Sequence, residues 1–163
     1  MPPAHDHGRK LEAGESEMEF RITQFPMHYF AAIQRQNFVN LSGILKRIEI
    51  TPLEWRILAI LSEHDRRTVN EITGIAVADR SKISRAINKM MGENLINRDH
   101  AADRRKAAIC LADFGRQKYA AALPLVRDMY SRNVKGLTSD EEIVLMDLLR
   151  RIKDNVFRLE DYY

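Results

Sequence analysis

The chain has a single cysteine and no apolar run approaching the ~20 residues that a membrane span requires. Cys110 alone cannot form an internal disulfide, which fits a reducing compartment. The N-terminus lacks the apolar core of a signal peptide, so the sequence reads as that of a cytoplasmic protein. Charge of one sign is scarce too: 163 residues carry a net +3, too little to argue nucleic-acid binding by itself. The parts of a catalytic site are missing. There is no Gly-rich phosphate loop, no metal-spaced His/Cys cluster and no nucleophile beside an evident base, so no enzyme activity, cofactor or metal is assigned. His5-Asp6-His7 can bind a metal weakly but has no second cluster to complete a site.

What is present is a 45% hydrophobic chain, enough for a real core in one compact domain with helical extensions. Residues 1–19 are polar, charged and rich in small residues, and read as a flexible tail. From Phe25 to Ile48 the pattern is helical, with Phe25, Tyr29 and Ile33 four apart and Leu41, Ile44, Leu45 and Ile48 continuing it. Apolar residues occupy more than one face, as in a helix that a second subunit helps to bury. Three capping boxes mark helix starts: Thr51-Pro52-Leu53-Glu54, Thr68-Val69-Asn70-Glu71 and Thr138-Ser139-Asp140-Glu141. In each, the threonine hydroxyl accepts an orphan amide N–H while the glutamate reaches back to the cap's own N–H. The first opens a helix carrying Leu53, Ile57, Leu58 and Leu61, the second a short helix ending near Gly74-Ile75. The last opens a helix with the stripe Ile143, Met146, Leu149, Ile152, Val156 and Leu159.

A tight link from Ala76 to Asp79 follows the short helix, with Asp79 as N-cap of a helix seated by Ile83, Ala86, Ile87 and Met90. Asn94 supplies the left-handed residue that ends it. Leu95–Asp99 and Ala107–Leu111 read as strands of a hairpin with a polar, basic tip. A helix then runs from Asp113 through Tyr119 and Tyr130, kinked at Pro124 and closed by Gly136. A short helix, a tight turn and a basic helix form a helix-turn-helix, and a basic hairpin straight after it is a wing. The predicted fold is therefore mainly α: a winged helix-turn-helix with a two-stranded wing and long N- and C-terminal dimerisation helices. Its divisions are the tail (1–19), a dimerisation helix (20–50), the DNA-binding lobe (51–112) and two C-terminal dimerisation helices (113–163).

The basic residues cluster between Arg80 and Lys106, while 139–142 is acidic. Charge alone is equally compatible with a solvated face. The predicted helix nevertheless presents Arg80, Ser81, Lys82, Ser84, Arg85, Asn88 and Lys89 together on its outward side. Arg and Lys read guanine in a major groove, Asn reads adenine, Ser adapts to base or phosphate, and Lys89 at the C-terminal end suits the backbone. In the tip Asp103-Arg104-Arg105-Lys106 the aspartate serves as a brace. An arginine held in one rotamer loses less entropy on entering a narrow, electronegative minor groove.

These residues carry a family likeness. Asp79-Arg80-Ser81-Lys82-Ile83-Ser84-Arg85, Leu95-Ile96-Asn97-Arg98-Asp99, and Asp103-Arg104-Arg105 with Leu111 and Gly115 resemble the MarR family of bacterial regulators. Ala112 stands where the family's pattern has Thr, with Asp113 expected to take over the capping, and Asn94 stands in place of Gly. The resemblance spans about 25–159. It implies a homodimer straddling a pseudo-palindromic operator, with Arg105 in the minor groove, braced by Asp103, and Arg98 holding the wing. It further implies a repressor released by a small phenolic or aromatic carboxylate effector, held by Phe25, Met27, His28, Tyr29, Trp55, Arg56 and Tyr119. The alternatives are that these seven residues simply pack the junction, and that the protein is a constitutive or architectural DNA-binding factor without an effector. Cys110 is expected as a small core residue on the second strand, and Trp55 as a core anchor.

Overall fold

A computed structural model of the chain describes residues 21–99 and 108–158. The tail, with His5-Asp6-His7, the wing tip Asp103–Lys106 and Leu159 lie outside the described residues. The chain divides between Asn37 and Phe38 into two units. The first holds a 3-10 turn, Ile22–Gln24, and the opening turns of helix α1 (Pro26–Leu45), on which Met27, Tyr29 and Ile33 are all exposed.

The second unit contains the end of α1, then α2 (Pro52–Glu63), α3 (Val69–Ala76), α4 (Arg80–Gly92), β1 (Ile96–Asp99), β2 (Ala108–Leu111), α5 (Asp113–Asn133) and α6 (Ser139–Val156). All three capping boxes form. In α2 the Thr51 N–H donates to Glu54 Oε2 at 2.7 Å, while Thr51 Oγ1 accepts from the Glu54 amide at 3.3 Å. The boxes at Thr68 and Thr138 repeat this geometry. Such a cap contributes about 1 kcal/mol, chiefly because it satisfies donors that burial would otherwise orphan.

The core gathers Leu45, Ile57, Leu58, Leu61, Ile72, Ile83, Ile87, Met90, Leu95, Ile96, Ile109 and Leu111. Each such side chain contributes on the order of 1.5–3 kcal/mol when withdrawn from water, and together they close the lobe. The strands pair antiparallel with Ile96 opposite Leu111 and Arg98 opposite Ile109. A third short segment, absent from the sequence reading, joins them: Arg67 and Ile109 exchange two backbone hydrogen bonds of 3.1 and 2.8 Å. The base of the wing is thereby tied to the α2–α3 link.

Several expectations are corrected. α3 continues through Ala76, so the link is shorter than the sequence predicted, and its left-handed residue is Val77 at φ 48. Asp113 does not cap α5; it is the first helical residue, the N-cap is Ala112, and no side chain caps it. Cys110 is not a core residue. Ile109 and Leu111 face inward, and the strand's two-residue period turns Cys110 to the half-exposed side. Asn94 does take the left-handed conformation, at φ 57, and Pro124 lies inside a helix that continues to Asn133.

One close approach constrains the lobe. A Cβ placed on Gly115 would lie 1.9 Å from the Leu95 carbonyl oxygen, where α5 crosses the start of the wing. Gly115→Ala is expected to cost about 3 kcal/mol through backbone displacement. Gly74→Ala, with nothing within 4 Å of the added carbon, should stabilise by roughly 0.5–1 kcal/mol. Urea unfolding of the two variants checks the opposite signs.

Candidate nucleic-acid interface

The recognition-helix candidate, α4, is set by its ends. Asp79 Oδ1 accepts the Ser81 and Lys82 amides at 2.8 and 3.1 Å, and the Ser81 hydroxyl donates to the same oxygen. The Ser81 hydroxyl and these two amides hold the exposed Asp79 carboxyl below its ordinary value. Its capping contribution is present above the ordinary carboxylate range and is lost as pH falls through the lowered value. Upstream, Arg56 Nη1 donates to the Ala76 carbonyl at 2.8 Å, satisfying a terminal carbonyl of α3 beside the left-handed Val77. A β-branched residue in that region carries about 1–2 kcal/mol of strain, and the hydrogen bond lies where the chain reverses.

The buried line Ile83, Ile87 and Met90 decides what α4 shows to solvent. At ~100° per residue, Ser81, Arg85 and Asn88 project opposite that line, Lys82 and Lys89 lie on one flank, and Ser84 lies on the other. Arg80 sits in the first turn. All seven predicted residues of this helix are exposed. Lys89, however, is occupied: its Nζ lies 2.7 Å from Glu54 Oε1 and 3.5 Å from Glu93 Oε1.

Among the described residues Glu54 is the buried charged one, at 2% exposure. Burial pushes its carboxyl up, but the Lys89 ammonium and the Thr51 amide and hydroxyl outweigh that and hold it below the usual value. Lys89 is correspondingly raised, first by its hydrogen bond to Glu54. The pair's stabilisation is therefore lost at the acid end, as pH falls through the lowered Glu54 value. It is lost again at the alkaline end, as pH rises through the raised Lys89 value. The sequence marked Glu54 only as a capping residue.

On the wing, Arg98 is exposed on β1, and Asp99 beside it forms an ion pair with Arg66 at 2.8 Å. Arg66 was not among the sequence candidates, since nothing in its neighbourhood marks it as a partner of the wing. Asp103, Arg104, Arg105 and Lys106 fall outside the described residues.

Of the seven effector candidates, Trp55, Arg56 and Tyr119 lie in the second unit and the other four in the first. Trp55 and Tyr119 meet, stacked with centroids 5.2 Å apart and planes at 10°, both half-buried against the core. Arg56, one residue along α2, turns instead to α3. Phe25, Met27, His28 and Tyr29 belong to the first unit and are exposed there, with His28 edge-on to Tyr29 at 5.7 Å. Among the described residues no cluster of three or more His, Cys, Asp or Glu is placed to hold a metal, and no helix is long and apolar enough to cross a membrane.

Comparison with known proteins agrees with this geometry. The MarR family model matches residues 50–107. The HTH-type transcriptional repressor IacR of Pseudomonas putida is 27% identical over 140 residues, covering 85% of this chain and 81% of that protein. The MarR/EmrR family transcriptional regulator from Acinetobacter sp. ADP1 superposes with a TM-score of 0.79 at 22% identity, covering 86% of this chain and all of the other. Bordetella bronchiseptica BpsR, solved in a study of how 6-hydroxynicotinic acid regulates its DNA binding, gives a TM-score of 0.71 at 16% identity over 82% of this chain and 97% of its own. Residues 50–107 thus match the MarR family model, and the described helices and hairpin have the fold of that family's solved regulators.

Proposed function

We propose that the protein is a homodimeric repressor that reads a pseudo-palindromic DNA operator and releases it on binding a small aromatic acid. The observation that carries the reading is the outward stripe of α4. Ser81, Arg85 and Asn88 stand opposite a fully buried line, flanked by Lys82 and Ser84, and Arg80 opens the helix. Such a set combines groups that read base edges with groups that hold phosphate. Arg98 and the tip residues Asp103, Arg104, Arg105 and Lys106 extend it to the minor groove by the family resemblance.

Dimerisation is supported by α6. Its 18 residues bury no side chain within the chain, and Ile143, Val144, Met146, Leu148 and Val156 are exposed. A monomer does not keep a patch of that kind in water, whereas a second copy of α6 and its neighbours covers it. Release by a ligand is supported by the Trp55–Tyr119 stack, an aromatic wall suited to a ring, and by the regulation of BpsR by an aromatic acid. The repressor sense rests on the likeness to a named repressor.

Sedimentation at micromolar protein is expected to give a dimer, and Ile143→Asp, which touches no core of its own chain, to shift it to monomer. A folded wild-type monomer overturns the dimer. On a duplex enriched by the protein from a random library, Arg85→Ala and Arg105→Ala are each expected to lose roughly 1–3 kcal/mol of binding in anisotropy titrations. Asp103→Ala is expected to bind more weakly although it adds positive charge; tighter binding at every salt concentration rejects the brace. Trp55 is the only tryptophan, so its fluorescence reports its own site. Titration with benzoates and cinnamates should quench it, and His28→Ala and Arg56→Ala assign or remove those residues as ligands. No response, with no heat in calorimetry, favours a regulator without an effector.

A further inference from the structure

Glu54 presents a problem of physical chemistry. A carboxylate withdrawn from water costs several kcal/mol unless a partner and hydrogen bonds satisfy it. Here Oε2 receives the Thr51 amide, which completes the cap of its own helix. Oε1 receives Lys89, which lies 35 residues on and in the last turn of α4. An N-terminal cap of α2 alone needs no second helix, so the ion pair serves something beyond the cap. The neighbouring residues show what it joins. Trp55 stacks on Tyr119 of α5, and Arg56 holds the last carbonyl of α3. Three consecutive residues of α2 thus fasten three different helices, and Glu54 takes the recognition helix at the end opposite its Asp79 cap.

We propose that Glu54 and Lys89 are positioning residues for DNA reading: their ion pair sets the angle of α4, and Lys89 is not a phosphate ligand. This rests on the operator reading above. An ammonium 2.7 Å from a buried carboxylate and 3.5 Å from Glu93 has its charge answered locally. Taking it to a phosphate would strand Glu54 in the core. A tilt of α4 about its N-terminal cap would displace Arg85 and Asn88 from base edges while leaving the general attraction of the basic face intact. The pair therefore governs discrimination between sequences rather than attraction to DNA.

The test uses the full-length protein and two duplexes of equal length, one enriched by the wild type from a random library and one scrambled, titrated by anisotropy across a salt series. Glu54→Gln keeps an oxygen for the Thr51 amide and removes the charge; Lys89→Met keeps the stem and removes the ammonium. Each is expected to lower affinity for the enriched duplex about tenfold, within the range of coupled pairs. Binding to the scrambled duplex and the slope of log K against log salt should not move. Lys89→Arg should restore most of the loss, and Glu54→Gln/Lys89→Met should bind no worse than either single variant. Should Lys89→Met prove unstable because it strands Glu54, Glu54→Gln and the double variant carry the same comparison.

The opposite pattern overturns the proposal. A phosphate-binding Lys89 predicts that Lys89→Met weakens both duplexes alike and flattens the salt slope by about one per subunit. In that case Glu54→Gln leaves binding unchanged or tightens it by freeing the lysine. Unchanged binding in both single variants overturns the proposal as well. A wild type that enriches no sequence removes the operator reading itself, a result separate from any difference among variants on an enriched duplex.

Discussion

Burial of Ile83, Ile87 and Met90 against the lobe is the constraint from which the exposed face of α4 follows. A helix carrying Arg80, Lys82, Arg85 and Lys89 would otherwise be a generic cationic helix, free to present any face. Three apolar side chains at helical spacing, each withdrawn from water, select one rotation about the axis and so choose Ser81, Arg85 and Asn88 as the outermost groups. Rotation alone leaves the tilt open. At the C-terminal end of α4, Lys89 meets Glu54 of α2, the polar tie of this helix to another element, while the Asp79 cap satisfies only the helix's own first amides.

The lobe around α4 is held by backbone and charge at its corners as much as by its core. Gly115 lets α5 pass within contact of the Leu95 carbonyl, at a place where any side chain would force the helix off the wing. Arg67 lends its backbone to β2, and Arg66 pairs with Asp99 at the end of β1, so the wing is fastened to the segment that leads into α3. Lys118 of α5 donates to the Ile48 carbonyl at 2.6 Å and reaches Glu49, the left-handed residue ending the turn after α1. These ties are polar and directional. They fix geometry more than they add stability, since exposed ion pairs contribute ~0–1 kcal/mol each.

The apolar residues left outside this core have their own logic. α6 has a hydrophobic stripe as regular as that of any buried helix, yet its own chain covers none of it fully. Ile143, Met146 and Leu149 stay in register over successive turns, so α6 carries a continuous apolar stripe that its own lobe leaves open.

What the sequence determined by itself was everything carried by neighbours a few residues apart. The capping boxes, the Asp79 cap, the left-handed Asn94 and the inward line of α4 each depend on contacts within one or two turns, and chain order alone brings those groups together. The strand period could also have turned Cys110 outward, had Ile109 and Leu111 been given precedence over its hydrophobicity. Only the tertiary structure decided the rest. Nothing near Glu54 in the chain names Lys89, nothing near Arg56 names Ala76, and nothing near Arg67 names Ile109. Those partners depend on which faces of separately formed elements meet. That choice is made by collective burial, in which each apolar side chain contributes a similar non-directional free energy, so no local pattern records it.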